Sequence, residues 1–317
     1  MDPVLPDHIV ELAATARRAF ADIGGVDLAR RAEADPSARQ LAGDALTALG
    51  AFEIDPLADA DQALAAFALC REAGRVGLPY PLEPLLCRLD RAVVVLVDPA
   101  DPMVDHADLL PSMLGVDLGG RVHDATVAAA ALASRLGPFA VPVQLRAHEG
   151  SADVEGLTTA AWALSSSTVL GYVEGAIDLC VEHVRTRHQF DQRLADFQAV
   201  QFAIADAVVA ASGLAELALF TFWRISELGA GARVDALALR LHAADVARTA
   251  MRTAQQLHGA SGVADEYDVS VLCRRAQAAL RIPASSDRIL DSLSAAVRQH
   301  GFASLFPHGA GRERVAT

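Results

Sequence analysis

Between residues 157 and 257 the chain carries three helical runs, 157–187, 194–228 and 234–257, and none contains a proline. Each is at least 24 residues long, about twice the usual helix of about 11–12. Most of the stability of such helices comes from an apolar face packed against a neighbour. Gly229 and Gly231 close the second run, and Gly259 and Gly262 the third, as glycine does where a chain leaves a helix in a left-handed conformation. Long helices joined by short Gly-containing links predict an antiparallel bundle. Two further helices, over 268–280 and 285–300, complete it.

Two other textures precede the bundle. In residues 1–90, Ile9, Leu12, Ala13, Ala16 and Phe20 repeat at helical spacing, as do Leu64, Phe67, Ala68 and Arg71. Breakers at Gly24–Gly25, Asp35–Pro36, Asp55–Pro56 and 78–81 cut this region into short helices. Residues 91–153 read differently. The β-branched run 92–97 and the segment 139–145 are strand candidates, with Pro142 suggesting an edge or a strand start. Gly115, Gly119 and Gly120 suit turns. About 60 residues make a small sheet and not a large barrel. The expected fold is therefore mainly α, with an N-terminal helical domain (1–90), a shortened β domain (91–153) and a C-terminal four- to five-helix bundle (154–317).

Composition narrows the function. Of the 317 residues 52% are hydrophobic and 21% charged, enough apolar matter for a packed core. A net charge of −13 argues against nucleic acid as a bulk partner. All 27 basic residues are Arg, with no Lys or Asn, a bias expected of a GC-rich genome. The first 20 residues place acids before any basic cluster, unlike a signal peptide. No stretch reaches roughly 18 uninterrupted apolar residues, so no membrane span is expected. Cys70, Cys87, Cys180 and Cys273 are widely spaced and read as small buried hydrophobes. A cytoplasmic protein is the expectation. The ten histidines lack metal-ligand spacing, and HExxH, GxSxG and P-loop motifs are absent.

Chemistry concentrates at helix ends. Arg185, Arg187 and His188 close the first long run, and Phe197-Gln198 opens the next. The cations complement the helix dipole; alternatively, with Gln198 at a helix N-terminus, they form an anion site. The segment 255–262, Gln-Gln-Leu-His-Gly-Ala-Ser-Gly, either ends its helix or lets backbone approach a ligand. Residues 265–268, Asp-Glu-Tyr-Asp, read as an acidic N-terminal cap for the following helix.

In order and spacing these pieces resemble the C-terminal domain of the acyl-CoA dehydrogenase family. Its R-x-x-F-G stands here as Arg187-His-Gln-Phe190-Asp191, followed by Phe197-Gln198. Its Q-x-x-G-G-x-G stands as Gln256-Leu-His-Gly259-Ala260-Ser-Gly262. Glu266-Tyr-Asp-Val269 and Arg274-Arg-Ala276 match E-Y-P-V and R-D-A. The resemblance implies Cα–Cβ desaturation of an acyl-CoA thioester, with a carboxylate base and FAD as hydride acceptor. It also implies that Arg187, Phe190, Phe197, Gln198, Gln256, Gly259 and Ala260 contact the FAD diphosphate and adenine across a subunit interface.

The departures are as informative. The family's usual base, the Glu of E-G-T-S, falls here on Pro283, and the alternative base position on the first bundle helix falls near Ala161–Trp162. Neither offers a carboxylate, so no catalytic residue is assigned. The middle region also lacks the T-E-P-x-x-G-S-D and W-I-T-N segments that hold the family's flavin. This asymmetry resembles the short subunits of heteromeric α2β2 acyl-CoA dehydrogenases acting on steroid-derived thioesters. The resemblance then implies a longer homologue as partner, supplying the base, binding most of the acyl-CoA and sharing the FAD. Two alternatives stay open: a self-sufficient enzyme using Glu266 or Asp287, and a flavin-free scaffold. Apolar residues on several faces of 202–220 suggest cover by another subunit, and the segment after Gly301 reads as a loose tail or interface arm.

Overall fold

A computed structural model describes residues 5–128 and 136–300; the tail after Gly301 lies outside the described residues. Five helices come first: α1 (Asp7–Asp22), α2 (Val26–Ala34), α3 (Arg39–Ala48), α4 (Ala60–Arg75) and α5 (Leu82–Leu86). Ile9, Ala16 and Phe20 are the buried face of α1, as their spacing requires.

Among the described residues six strands follow where two were expected. They are β1 (Arg88–Leu89), β2 (Ala92–Leu96), β3 (Met103–Asp105), β4 (Met113–Val116), β5 (Val122–Val127) and β6 (Ala140–Ala147). They form one sheet in the order β1-β2-β4-β5-β6-β3, parallel only between β2 and β4. β1, β3 and β4 escape notice in the sequence because two to four residues carry too little alternation, and β5, six residues long, interrupts its apolar residues with His123, Asp124 and Thr126. Gly115, expected at a turn, lies inside β4; a Cβ there would come within 3.1 Å of the Val97 side chain. Gly119 and Gly120 do turn the chain. Pro142 sits in the third position of β6, paired with Met103, and its carbonyl accepts from Ala128 N–H. In β2, Val93 and Val95 pack into the sheet's own core while Val94 joins the main helical core. The strand is therefore apolar throughout, as a strand buried on both faces must be.

The bundle comprises α6 (Glu155–Thr186), α7 (Gln198–Leu228), α8 (Arg233–His258), α9 (Asp268–Arg281) and α10 (Ser286–His300). The second run is shorter than expected, because residues 194–196 form a separate 3-10 turn ahead of α7. Gly229 and Gly259 are the C-caps of α7 and α8, at φ +53° and +61°.

Close backbone contact locks α4 to α6. A Cβ on Gly74 would stand 2.1 Å from the Thr168 carbonyl oxygen, and one on Gly171 2.0 Å from that of Arg71. Beside this crossing, Arg71 and Arg75 pair with Glu174, Arg75 also meets Asp178, and Arg17 grips the buried Glu72 through two bonds. The four cysteines are free and buried.

Candidate functional sites at the two ends of the bundle

Helices α6 and α8 run side by side in the same direction, so their C-termini meet. The His183 and His258 rings stack there, 4.3 Å between centroids. Burial lowers the pKa of both; for His183 the proximity of His258 and Arg187 adds to it. The segments read as separate motifs in the sequence thus share one end of the bundle.

At that end, β7 (His188–Gln189) and β8 (Gln192–Arg193) form a small hairpin. Its two-residue turn is Phe190-Asp191, at φ +53° and +63°, the conformation that two-residue hairpin loops favour. Asp191 occupies a left-handed position that Gly fills most readily and that Asp tolerates better than most residues. Phe190 projects into solvent, 85% exposed, with its ring edge toward Phe197 at 6.3 Å. Gln198 then opens α7, where backbone N–H groups have no partner within the helix.

The side chains of Arg187, Gln198 and Gln256 are exposed, and among the described residues none makes a hydrogen bond or ion pair. Gly259 has open space where a Cβ would be, and Ala260 is exposed. Gly262 differs: a Cβ there would lie 2.6 Å from the Gln255 carbonyl oxygen, so its role is packing. An uncommitted guanidinium, two free amides, an open backbone turn and a helix N-terminus suit a phosphate-bearing ligand. They fit the diphosphate of a nucleotide.

The segment 265–268 leads into α9 with Asp268 in its first turn, as expected, but no side chain makes the capping bond. Asp265 binds Arg274 at 2.6 Å, Asp268 pairs with Arg30, and the N-cap Tyr267 makes no capping bond. Competing arginines take those carboxylates.

At the opposite end, Ala161 and Pro283 line a single pocket of about 110 Å³ between α5, β2, α6 and the segment after α9. Glu266 and Asp287 are both exposed and do not line it. Two carboxyls missed in the sequence do: Glu83 and Asp105. The one available signal was Pro81-Leu-Glu83-Pro84, a lone acid in an apolar stretch. Beside the pocket lies a buried charge cluster. His106 Nε2 is 3.2 Å from Arg275 Nη2 and its Nδ1 3.5 Å from Arg39 Nη1, and its ring stacks on Phe139. Arg275 pairs with Asp105 at 2.9 Å, and Arg39 with Asp108.

A wider groove, about 940 Å³, separates residues 118–120 from α10. Both arginines lining it are committed: Arg288 to Asp98 at 2.8 Å, and Arg233 to the Leu118 carbonyl at 2.7 Å.

The whole arrangement takes the acyl-CoA dehydrogenase fold. Among the solved structures that share it, the ChsE4–ChsE5 complex from Mycobacterium tuberculosis has a TM-score of 0.75 and 16% identity, over 94% of this chain and 99% of that one. The Tcur3481–Tcur3483 steroid ACAD G363A variant has a TM-score of 0.75 and 19% identity, over 92% and 98%. Residues 154–292 match the family model for the acyl-CoA dehydrogenase C-terminal domain, and the chain carries that domain. Caffeyl-CoA reductase-Etf complex subunit CarC of Acetobacterium woodii is 29% identical over 109 residues, 34% of this chain. That stretch spans only 28% of the relative's own length.

Proposed function

We propose that this chain is a cytoplasmic subunit of an FAD-dependent heteromeric acyl-CoA dehydrogenase, desaturating a steroid-derived acyl-CoA thioester. The observation that carries the reading is the contrast between the two ends of the bundle. At one end Arg187, Gln198, Gln256 and Gly259 have, among the described residues, no partner that would keep them from an anion; at the other, the resemblance puts the family's two base positions on Pro283 and near Ala161–Trp162. The two solved relatives are themselves two-chain assemblies by name, one of them a steroid ACAD.

When bound, FAD supplies hydride acceptance. This chain's residues hold its nucleotide portion: Arg187 and the N-terminus of α7 neutralise the diphosphate, while Gln198 and Gln256 donate amide hydrogens. Gly259 and Ala260 let the backbone approach, and Phe190 and Phe197 wall the site with apolar surface. The proton acceptor belongs to the partner, a longer homologue with an intact flavin domain.

The apolar flank of α7 supports a partner. By length and composition alone the helical stretch Gln198–Val263 could cross a membrane, although it holds no long uninterrupted apolar run, and only 22% of its apolar 18-residue window is buried. Phe202 and Val209, 60% and 72% exposed and two turns apart, mark the face that a second subunit would cover.

The test is expression alone and with such a homologue. Flavin colour and acyl-CoA turnover are expected only from the pair; a yellow, active preparation of this chain alone overturns the reading.

A further inference from the structure

The groove beside α10 opens where the described chain stops. Arg288, Asp291, Ser292, Ala295, Ala296 and Gln299 line it from one face of that helix, at the three- and four-residue spacing of helical neighbours. From Arg288 to Gln299 this wall is roughly 16 Å long, at about 1.5 Å per residue. Helix α10 ends at His300, so the chain leaves it at the groove's own rim. The facing wall comes from the turn between β4 and β5 and from the first turns of α6 and α8, with Gly119, Gly120 and Gly231 among its residues. Small residues on both sides leave a space of about 940 Å³.

Four charged side chains line this space. Arg288 is neutralised by Asp98 at 2.8 Å, which leaves Glu155 and Asp291 against Arg233. Among the described residues neither acid has a hydrogen-bond or ion-pair partner for its carboxylate. The balance is negative, so a basic occupant suits the groove better than an anion.

We propose that residues 302–314 of this chain dock in the groove, with Phe302 and Phe306 seated between α10 and the β4–β5 turn and Arg312 and Arg314 directed to Glu155 and Asp291. Residues 302–307, Phe-Ala-Ser-Leu-Phe-Pro, carry no charge, and a covered aromatic side chain removes about 150–250 Å² from water. Gly301 lets the chain reverse on leaving α10. About five extended residues, at about 3.3 Å each, then span the wall, and Phe302 and Phe306 point to the same side. Residues 312–314, Arg-Glu-Arg, bring net positive charge to the two acids. Attachment at the rim favours this segment over a separate molecule, because a short tether acts as an effective concentration of about millimolar. The inference concerns the chain by itself and stands whether or not a flavin is shared with a partner.

The test uses the full-length chain with benzoylphenylalanine in place of Phe306, irradiated and mapped by mass spectrometry. Crosslinks within one chain, to residues 118–120 or 295–299, are expected. Ala296→Trp fills the groove from α10 and is expected to abolish them. In parallel, hydrogen–deuterium exchange is compared between the unsubstituted chain and the double variant Phe302→Asp, Phe306→Asp, whose changes lie outside the described core and keep the test open should Ala296→Trp not fold. Exchange across 288–299 is expected to quicken about tenfold or more, the worth of losing one buried phenyl ring. The proposal is overturned by crosslinks to a second copy of the chain, by crosslinks elsewhere or none, by crosslinks that persist in Ala296→Trp, or by unchanged exchange in the double variant. Exchange across 288–299 that slows only when a partner chain is added gives the groove to that partner and overturns it too.

Discussion

Ala161 on α6 and Pro283 beyond α9 border the same pocket. The two places where a base is expected are thus one place in space, and neither residue can accept a proton. Glu266 and Asp287, the alternatives open in the sequence, lie on the surface away from it. Glu266→Gln and Asp287→Asn are therefore expected to leave turnover of the assembled enzyme within about twofold at saturating acyl-CoA. A loss beyond about a hundredfold in either, the scale of removing a general base, restores a self-sufficient enzyme.

Among the described residues the Arg187 side chain has no hydrogen-bond or ion-pair partner to lose, so replacing it isolates its effect on a ligand. Arg187→Ala is expected to weaken FAD retention by the complex about tenfold or more, the worth of a charge-assisted hydrogen bond, with thermal stability of the chain unchanged. Flavin absorbance after gel filtration checks it; full occupancy removes Arg187 from the site.

His106 makes stability depend on pH. Burial lowers its pKa to about 3, with Arg275 and Arg39 adding to this against Asp105 and Asp108. Protonation would set a third cation between two guanidiniums. Above about pH 6.5, the ordinary histidine value, neither folded nor unfolded chain holds the proton and the full stability is present. As pH falls from there toward 3, the unfolded chain takes up a proton that the folded one refuses, and stability declines. His183 and His258 act in the same direction. His106→Asn, which tolerates the left-handed φ of +55°, is expected to flatten the decline between about pH 6.5 and 4.5 in denaturant titrations. An unaltered slope counts against this assignment.

The α4–α6 crossing has no room for a methyl group. Gly171→Ala is expected to cost about 3 kcal/mol or more, since the Cβ meets the Arg71 carbonyl and only a backbone shift relieves it. Gly213→Ala in α7, where nothing lies within 4 Å, gains up to about 1 kcal/mol from helix propensity. Urea unfolding of the pair separates local crowding from a general effect of removing glycine.

The exposed row on α7 is expected to govern assembly and not folding. Val209→Asp leaves the chain's melting temperature within about 2 °C, because the side chain touches solvent, and prevents co-purification with the partner. Retained co-purification moves the interface elsewhere.

Residue order alone determined the mainly helical class, the long bundle helices, their glycine ends and the motif string from Arg187 to Ala276, because periodicity, breakers and spacing are local properties. It also determined that Pro283 and Ala161 cannot be bases. An antiparallel bundle already placed Arg187 and Gln256 at one end; only the tertiary structure decided that His183 and His258 stack between them, since ring contact is a packing outcome. The same holds for the short strands, for Gly115 inside β4, and for the diversion of Asp265 and Asp268 to Arg274 and Arg30. Glu83 and Asp105 were invisible for the same reason: a carboxyl acquires its character from burial and from charges brought to it across the fold, and those distances are set only when the sheet, α5 and the bundle close on one another.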